Sequence, residues 1–193
     1  MSVIRAFIAI DLTPEILQSL EQVSVQLKKR LEGVPVRWVP VDNIHLTLKF
    51  LGDVSLANVD MLKKILQTEV DGHHAFDISV GGLGAFPSPK RPRVVWVGVE
   101  APAELTAIQN GVESAMARLG YAREERLFSP HLTLGRVSRN AMGRDERLIG
   151  EALDSTKLGF LGVARVNKVH LYKSDLQPNG AVYTCLFSAP LKE

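Results

Sequence analysis

The chain has 193 residues, of which 46% are hydrophobic and 23% charged, and its formal net charge is +2. This is the composition of a globular protein with a sizeable core, and it creates no strong positive field for nucleic acid. The single cysteine, Cys185, excludes an internal disulfide framework and predicts a cytoplasmic location; we expect the thiol to be buried and inert. The chain lacks an apolar run of about 18 residues, which a membrane-spanning helix would need.

The first half of the chain alternates between strand and helix patterns. Residues 4–12 alternate in polarity and predict a strand. Thr13 and Pro14 then predict the start of a helix, and Gly33 predicts its end. Further apolar patterns predict two short strands and a second helix, at 36–39, 44–51 and 59–70.

The second half carries more strand patterns than the first. Helical spacing occurs at 103–119 and 144–153, and a turn-rich basic stretch occupies 87–93. The predicted strands lie at 76–86, 94–99, 131–137, 158–163, 165–172 and 181–187. Because strands and helices do not follow strict β-α-β alternation, we predict an α+β fold with mainly antiparallel sheets.

One tetrapeptide occurs twice: His45-Leu46-Thr47-Leu48 recurs 86 residues later as His131-Leu132-Thr133-Leu134. Both copies lie in predicted strands, where residues two apart share a face, so each copy directs its His and its Thr to one side. A single H-x-T is usually a half-exposed pair without chemistry, but two identical copies indicate a duplicated site. We therefore predict a single domain of two lobes related by a pseudo-two-fold axis. The halves fall at roughly 1–75 and 76–193, and the terminal strands are candidates for exchange between them.

The repeated residues suit acid–base chemistry on a phosphate. An imidazole titrates near neutral pH, so a neutral His can take a proton from water while a protonated one donates to a leaving group. Two threonine hydroxyls can hold the phosphate oxygens. Spacings such as C-x-x-C or H-E-x-x-H are absent, so we expect no metal and no cofactor. The remaining histidines lack a Thr two residues later, and we interpret them as structural or solvent-facing: His73, His74 and His170.

Three aromatic residues are candidates for substrate binding, and each has a structural alternative. Trp38 precedes the first motif strand, where it would either stack on a base or serve as a core aromatic at the edge of the groove. Phe7 and Tyr172 lie on predicted strands that would either form the floor of the groove or pack the core.

Basic residues near the second motif are further candidates. Plain alternation places Arg136 on the strand face opposite Thr133, in a salt bridge, unless a bend at Gly135 returns it to the groove. The basic loop would either contact RNA phosphates or carry solvated turn charges, and it contains Lys90, Arg91 and Arg93.

The chain resembles the bacterial and archaeal RNA 2′,3′-cyclic phosphodiesterases, historically called 2′–5′ RNA ligases, within the 2H phosphoesterase superfamily. The two tetrapeptides carry this resemblance, together with segments 5–10, 37–39, 84–87, 91–99 and 169–174. It implies two lobes, each with a sheet that lines a central groove and helices packed outside. It also implies metal-independent hydrolysis of 2′,3′-cyclic phosphates to 2′-phosphates, with reversible 2′–5′ ligation as a further activity. By analogy with the family, His45 is the general acid, His131 the general base, and Thr47 and Thr133 bind phosphate.

Two other functions stay open at this point. One is a 2H reaction on a small cyclic nucleotide, because the chain has a short basic loop and no extended basic stripe. The other is an RNA-end binding module without chemistry, although the intact His and Thr of both copies argue against it. For the main interpretation, the expected partners are RNA ends or nucleoside 2′,3′-cyclic phosphates, with no membrane partner, and the chain is expected to act as a monomer.

Overall fold

The computed structural model describes residues 2–178 and 180–193, which form nine strands and four α-helices. The strands are β1 Val3–Ile10, β2 Val36–Trp38, β3 Leu46–Ser55, β4 Phe76–Ser88, β5 Arg91–Glu100, β6 His131–Val137, β7 Phe160–Val166, β8 Lys168–Gln177 and β9 Gly180–Pro190. The helices are α1 Pro14–Arg30, α2 Val59–Val70, α3 Ala103–Arg118 and α4 Gly143–Ser155. No helix in this described part of the chain is long and apolar enough to cross a membrane.

The strands form one antiparallel sheet with the order β7-β4-β5-β6-β3-β1-β8-β9, and β2 pairs with β6 beside this path. The order contains two four-stranded halves, β7-β4-β5-β6 and β3-β1-β8-β9. They meet where β3 and β6 pair through Leu46 and Leu132. The C-terminal strands β8 and β9 extend the half that contains β1, so both ends of the chain contribute to the same half.

The helices pack on one face of the sheet and leave the other face for a groove. α2 contacts β8 and β9, α3 contacts β3, α1 contacts β7 and α4 contacts β5. Because α1 follows β1 and α3 follows β5 in the chain, each of these two helices packs on the half opposite to its preceding strand. The α+β fold with two lobes, a central groove and helices outside is confirmed, and the two sheets are continuous with each other.

The first motif strand begins two residues later than predicted. A short 3-10 helix at Val41–Asn43 leads into β3, which starts at Leu46. His45 therefore lies one residue before the strand, whereas His131 is the first residue of β6.

Two boundaries in the second half also differ from the sequence prediction. The stretch at 87–93 is a tight hairpin between β4 and β5, in which Pro87 pairs with Pro92. The two residues that lack an N–H group therefore occupy the same position of the ladder. The break between β7 and β8 lies at Asn167 and not at residue 164, where the sequence predicted it. Ala164 still belongs to β7, because it pairs with Ile78 of β4. The boundary between the two halves near residue 75 stays a prediction.

Candidate functional site

The pairing of Leu46 with Leu132 determines which side chains face the groove. Both leucines have no exposed surface and belong to the hydrophobic core beneath the helices. Because successive side chains of a strand alternate, the neighbours of these leucines point to the other face of the sheet. These neighbours are the His and the Thr of both tetrapeptides, and all four are partly buried.

The same register sets the spacing of the two histidines. Extending the antiparallel pairing by one residue on each side places His45 opposite Thr133 and Thr47 opposite His131. His45 and His131 are then diagonal neighbours across two strands, a relation that separates Cα atoms by about 7–8 Å. Such a separation would allow one phosphate to lie between the two imidazoles, with a threonine on the same face as each histidine.

Both imidazole rings are anchored in the same way. Nδ1 of His45 lies 2.9 Å from the carbonyl oxygen of Asn43, and Nδ1 of His131 lies 2.7 Å from that of Ser129. A carbonyl oxygen only accepts hydrogen bonds, so Nδ1 carries the proton and donates it in each ring. Nε2 is left without this partner on both rings, and it takes up or releases the second proton. Asn43 is itself held in place, because its Nδ2 donates to the carbonyl oxygen of Ala181 in β9 at 2.8 Å.

Aromatic side chains from β1, β8 and β9 pack around the imidazole of His45, and we call this aromatic cluster the His45 bed. The ring of Phe7 stacks on the imidazole with centroids 4.7 Å apart, and Tyr183 meets it edge-on at 5.3 Å. Tyr172 stacks on the other side of Phe7 at 5.4 Å. The predicted Phe7 and Tyr172 therefore lie at the site. Tyr183 was missed because its place depends on the pairing of β9 with β8.

A second aromatic bed surrounds His131. Phe86 of β4 meets the imidazole edge-on at 4.8 Å, and the ring of Trp96 lies 6.5 Å away. Trp96 is also the cross-strand partner of Thr133. Neither aromatic was identified from the sequence, although both lie on predicted strands. The signal that would have identified them is the register between β5 and β6.

Arg136 lies on the groove side, contrary to plain strand alternation. Thr133 pairs with Trp96 and Gly135 pairs with Val95, so one residue, Leu134, is an extra residue in the β6 ladder. A bulge of this kind reverses the alternation beyond it and brings Arg136 back to the face of Thr133. Burial is the main cause that lowers the pKa of His45 and His131, and the positive charge of Arg136 lowers both further, as expected for a side chain on the groove side.

The first motif contains a matching bulge. Thr47 pairs with Ala9 and Lys49 pairs with Ile8, so Leu48 is the extra residue. Lys49 consequently turns into the core, where its Nζ forms an ion pair of 2.7 Å with Glu113 on α3. Phe50 faces the groove opposite Phe7 with 64% of its surface exposed, at the position that Arg136 occupies in the second copy.

The electrostatic surroundings lower the pKa of both histidines. Burial in the groove is the largest cause for His45 and for His131, because a partly dehydrated imidazole holds a charge less readily. The backbone hydrogen bonds to Asn43 and Ser129 oppose this effect. Both rings are therefore shifted toward the neutral form in the free protein.

Trp38 packs against the core, and Arg93 of the basic loop pairs with a helix. Trp38 pairs with Gly135 and packs against the core, and a Cβ at Gly135 would lie 3.1 Å from its ring. This placement favours the core alternative for Trp38. Arg93 forms an ion pair of 3.1 Å with Glu146 on α4, so the hairpin directs at least this charge toward the helices.

His170 and Cys185 lie on the wall beside the His45 bed. Nδ1 of His170 is 2.8 Å from the hydroxyl of Ser188, and Nε2 is 3.5 Å from a carboxylate oxygen of Asp11. The expectation of a buried thiol is wrong: Cys185 is exposed, and its Sγ lies 3.8 Å from Nδ1 of His170. In residues 2–178 and 180–193, no group of three or more His, Cys, Asp or Glu side chains is arranged to hold a metal ion.

Comparison with known proteins places the chain in a family. The family model described as LigT like Phosphoesterase matches twice, over residues 10–96 and 97–183, and each match contains one H-x-T tetrapeptide. Proteins named RNA 2′,3′-cyclic phosphodiesterase from Methanothermobacter thermautotrophicus and Thermotoga maritima are 36% and 33% identical over 183 residues. These matches cover 94% and 95% of this chain and 95% and 93% of the two relatives.

A solved structure shares the fold over its full length. It is that of E. coli LigT complexed with 3′-AMP, which has a TM-score of 0.77 at 28% sequence identity and covers 100% of both chains. The duplicated match, the relatives and this common fold agree with the geometry of the groove. The chain therefore belongs to the family of LigT-like phosphoesterases.

Proposed function

We propose that this chain hydrolyses the 2′,3′-cyclic phosphate ends of RNA to 2′-phosphates, using the two H-x-T motifs as one site. The observation that carries the proposal is the equivalent anchoring of both imidazoles, each with Nδ1 bound to a backbone carbonyl and Nε2 left for a ligand. The relatives named RNA 2′,3′-cyclic phosphodiesterase support it. The 3′-AMP complex of E. coli LigT supports a nucleotide in the groove.

The reaction needs one proton to be taken up and another to be delivered. Nε2 of His131 accepts a proton from a water molecule, whose oxygen forms the new bond to phosphorus. The bond between phosphorus and the 3′ oxygen of the ribose breaks in line with this attack, and Nε2–H of His45 protonates the leaving oxygen. The product is a 2′-phosphate, and proton exchange with solvent returns both rings to their starting states. 2′–5′ ligation follows the same course with a 5′ hydroxyl of a second RNA in place of water, so His131 takes the proton of that hydroxyl and the 3′ oxygen still leaves. In the reverse direction the 3′ hydroxyl attacks phosphorus to re-form the cyclic phosphate, and the two histidines exchange roles.

Three other side chains act on the phosphate oxygens. Thr47 and Thr133 donate hydrogen bonds to the oxygens that do not take part in bond breaking, and Arg136 neutralises their charge. Hydrogen bonds to a charged oxygen are stronger than those between neutral groups, especially in a partly dehydrated groove. Because the side chains already provide two proton carriers and a cation, we propose that no metal ion is required.

The aromatic wall favours a nucleoside substrate. Phe50 is largely exposed beside Phe7 and supplies a ring face on which a base could stack. Stacking tolerates different bases, so the wall suits the last nucleotide of many RNAs. A cytoplasmic location and a monomeric state are parts of this proposal, the second of which light scattering would test.

Incubation with defined substrates tests the proposal. Purified protein with a chelator is given nucleoside 2′,3′-cyclic monophosphates and, separately, an oligonucleotide with a cyclic phosphate end. We expect 2′-phosphate products from the oligonucleotide, formed at least about 10²-fold more slowly by the His45→Ala variant at the same concentration. Hydrolysis of the mononucleotides alone would indicate a small-nucleotide enzyme, and binding without turnover would indicate an RNA-end binding module.

A further inference from the structure

The two copies of the motif differ in the residue that lies across the strand from each histidine. Ile10 pairs with Leu46, and continuing this antiparallel register by one residue sets Asp11 opposite His45. In the other half, Gly98 pairs directly with His131. One imidazole therefore has a carboxylate as its cross-strand neighbour, and the other has a residue without a side chain.

The second half has no room for a matching carboxylate. A Cβ built on Gly98 would lie 2.8 Å from the carbonyl oxygen of Gly81, closer than real Cβ contacts occur. The backbone of β4 thus keeps position 98 free of a side chain. The difference between the two histidines is built into the packing of the sheet.

Asp11 is held beside the groove by two side chains of β8. The hydroxyl of Tyr172 donates to its carboxylate, with distances of 2.8 and 2.7 Å to Oδ1 and Oδ2. Nε2 of His170 lies 3.5 Å from Oδ2. Tyr172 in turn stacks on Phe7, and the imidazole of His45 stacks on the same Phe7 ring. The carboxylate is half exposed, yet its orientation is fixed by these contacts.

We propose that Asp11 is a positioning residue that biases the catalytic proton onto His45 and so makes the two equivalent imidazoles act as acid and base. This inference rests on the proposed function, because it assigns the roles within that site. The repeated motif alone leaves the assignment symmetric. The carboxylate opposite His45, with no counterpart opposite His131, removes the symmetry.

The charges around the two rings support this assignment. Burial lowers the pKa of both histidines most, and Arg136 lowers both as well. Asp11 raises the pKa of His45, because a negative charge favours the protonated imidazole. Tyr183, the other titratable group on His45, has a pKa raised by burial and is neutral at pH 7. Among the described residues, no carboxylate acts in this way on His131.

Histidine titrations by NMR test the inference without relying on activity. In the wild-type protein we expect the carboxylate of Asp11 to keep the pKa of His45 above the value that burial alone would give. In Asp11→Asn, the pKa of His45 should fall by the modest amount expected for the loss of a half-exposed charge, while that of His131 should not change. The alkaline limb of the kcat/KM profile should move to lower pH by the same amount.

Two further variants serve as controls. Asp11→Glu keeps the charge and should restore most of the wild-type pKa of His45. Asp175→Asn removes an equally exposed carboxylate that pairs with Lys173 elsewhere on β8, and it should change neither histidine. Raising the salt concentration from about 0.02 M to about 0.5 M screens Asp11 without any substitution, and it should lower the pKa of His45 relative to that of His131.

The inference is overturned if the pKa of His45 does not fall in Asp11→Asn, if both rings respond equally to that substitution, or if salt leaves the difference between the two pKa values unchanged. These titrations use the free protein. A normal titration combined with no turnover of any cyclic phosphate would contradict the proposed function and leave the electrostatic role of Asp11 in place.

Discussion

At the scale of single residues, the site consists of two imidazoles that are identical in chemistry and anchoring. Each ring donates from Nδ1 to the carbonyl two residues earlier in the chain, which fixes both its tautomer and its direction. A fixed Nε2 loses little entropy on meeting a phosphate, so the arrangement is prepared for proton transfer in either direction. The consequences are testable by removing one group at a time.

Replacing either histidine should impair catalysis and not binding. We expect His45→Ala and His131→Ala each to lower kcat by about 10²–10⁴-fold, the usual contribution of a positioned proton carrier. Thr47→Ala and Thr133→Ala should cost less, because each removes one hydrogen bond among several. The double histidine variant should be little worse than the poorer single one, since the two groups act as a unit. Near-normal kcat in both folded single variants would contradict the acid–base mechanism.

Arg136 should contribute to charge neutralisation as well as to the state of the histidines. Arg136→Ala removes one charge-assisted contact to the phosphate and should lower kcat/KM by about 10–100-fold. It should also raise the pKa of both His45 and His131, because the arginine lowers both. Arg147→Ala, which breaks an exposed pair with Glu151 within helix α4, is the matched control and should change neither quantity. An unchanged kcat/KM in Arg136→Ala would show that this side chain does not act on the substrate.

At the scale of elements, two bulges explain where sequence analysis succeeded and where it failed. Alternation alone predicted that each His shares a face with its Thr, because both residues precede the extra residue of the bulge. It failed beyond the bulge, where Arg136 and Phe50 return to the groove. Leucines at 48 and 134 carry no signal for an extra residue, since the bulge depends on how β1 and β5 pair with these strands. Asp11 was missed for the same reason, because cross-strand neighbours depend on register.

Removing one partner of the buried ion pair between β3 and α3 should strongly destabilise the protein. Nζ of Lys49 is almost fully buried against Glu113, so Lys49→Met would leave a buried carboxylate without its partner. We expect a loss of about 3–5 kcal/mol in the free energy of unfolding, measured by urea denaturation. The double variant Lys49→Met, Glu113→Leu should recover part of this loss. The exposed pair of Lys63 with Asp60 gives a control, and Lys63→Met should cost less than about 1 kcal/mol.

At the scale of the whole molecule, the continuous sheet makes the groove dependent on both halves. Residues from β1, β8 and β9 form the bed of His45, whereas β4 and β5 supply that of His131. Helices α1 and α3 each pack on the half opposite to their preceding strand, which ties the halves together. Folding thereby places three partly buried imidazoles in surroundings that disfavour their charge. The free energy of unfolding should therefore depend on pH.

Acidification should destabilise the protein below about pH 6.5. The pKa values of His45, His131 and His170 are lowered from 6.5, mainly by burial, so the unfolded chain binds more protons than the folded one below that pH. Their contribution is complete above 6.5 and is lost as the pH falls toward the folded-state values. Denaturation at a series of pH values measures the effect. The His45→Ala, His131→Ala double variant should show a smaller slope, and an equal slope would contradict this origin.

The central claim is that both histidines act on one phosphate, and a crystal structure with a nucleoside 2′-monophosphate tests it most directly. We predict that Nε2 of His45 and Nε2 of His131 each lie about 3 Å from oxygens on opposite sides of the same phosphorus atom. The threonine hydroxyls should contact the remaining oxygens. A phosphate bound to one imidazole while the other faces away would contradict the shared site.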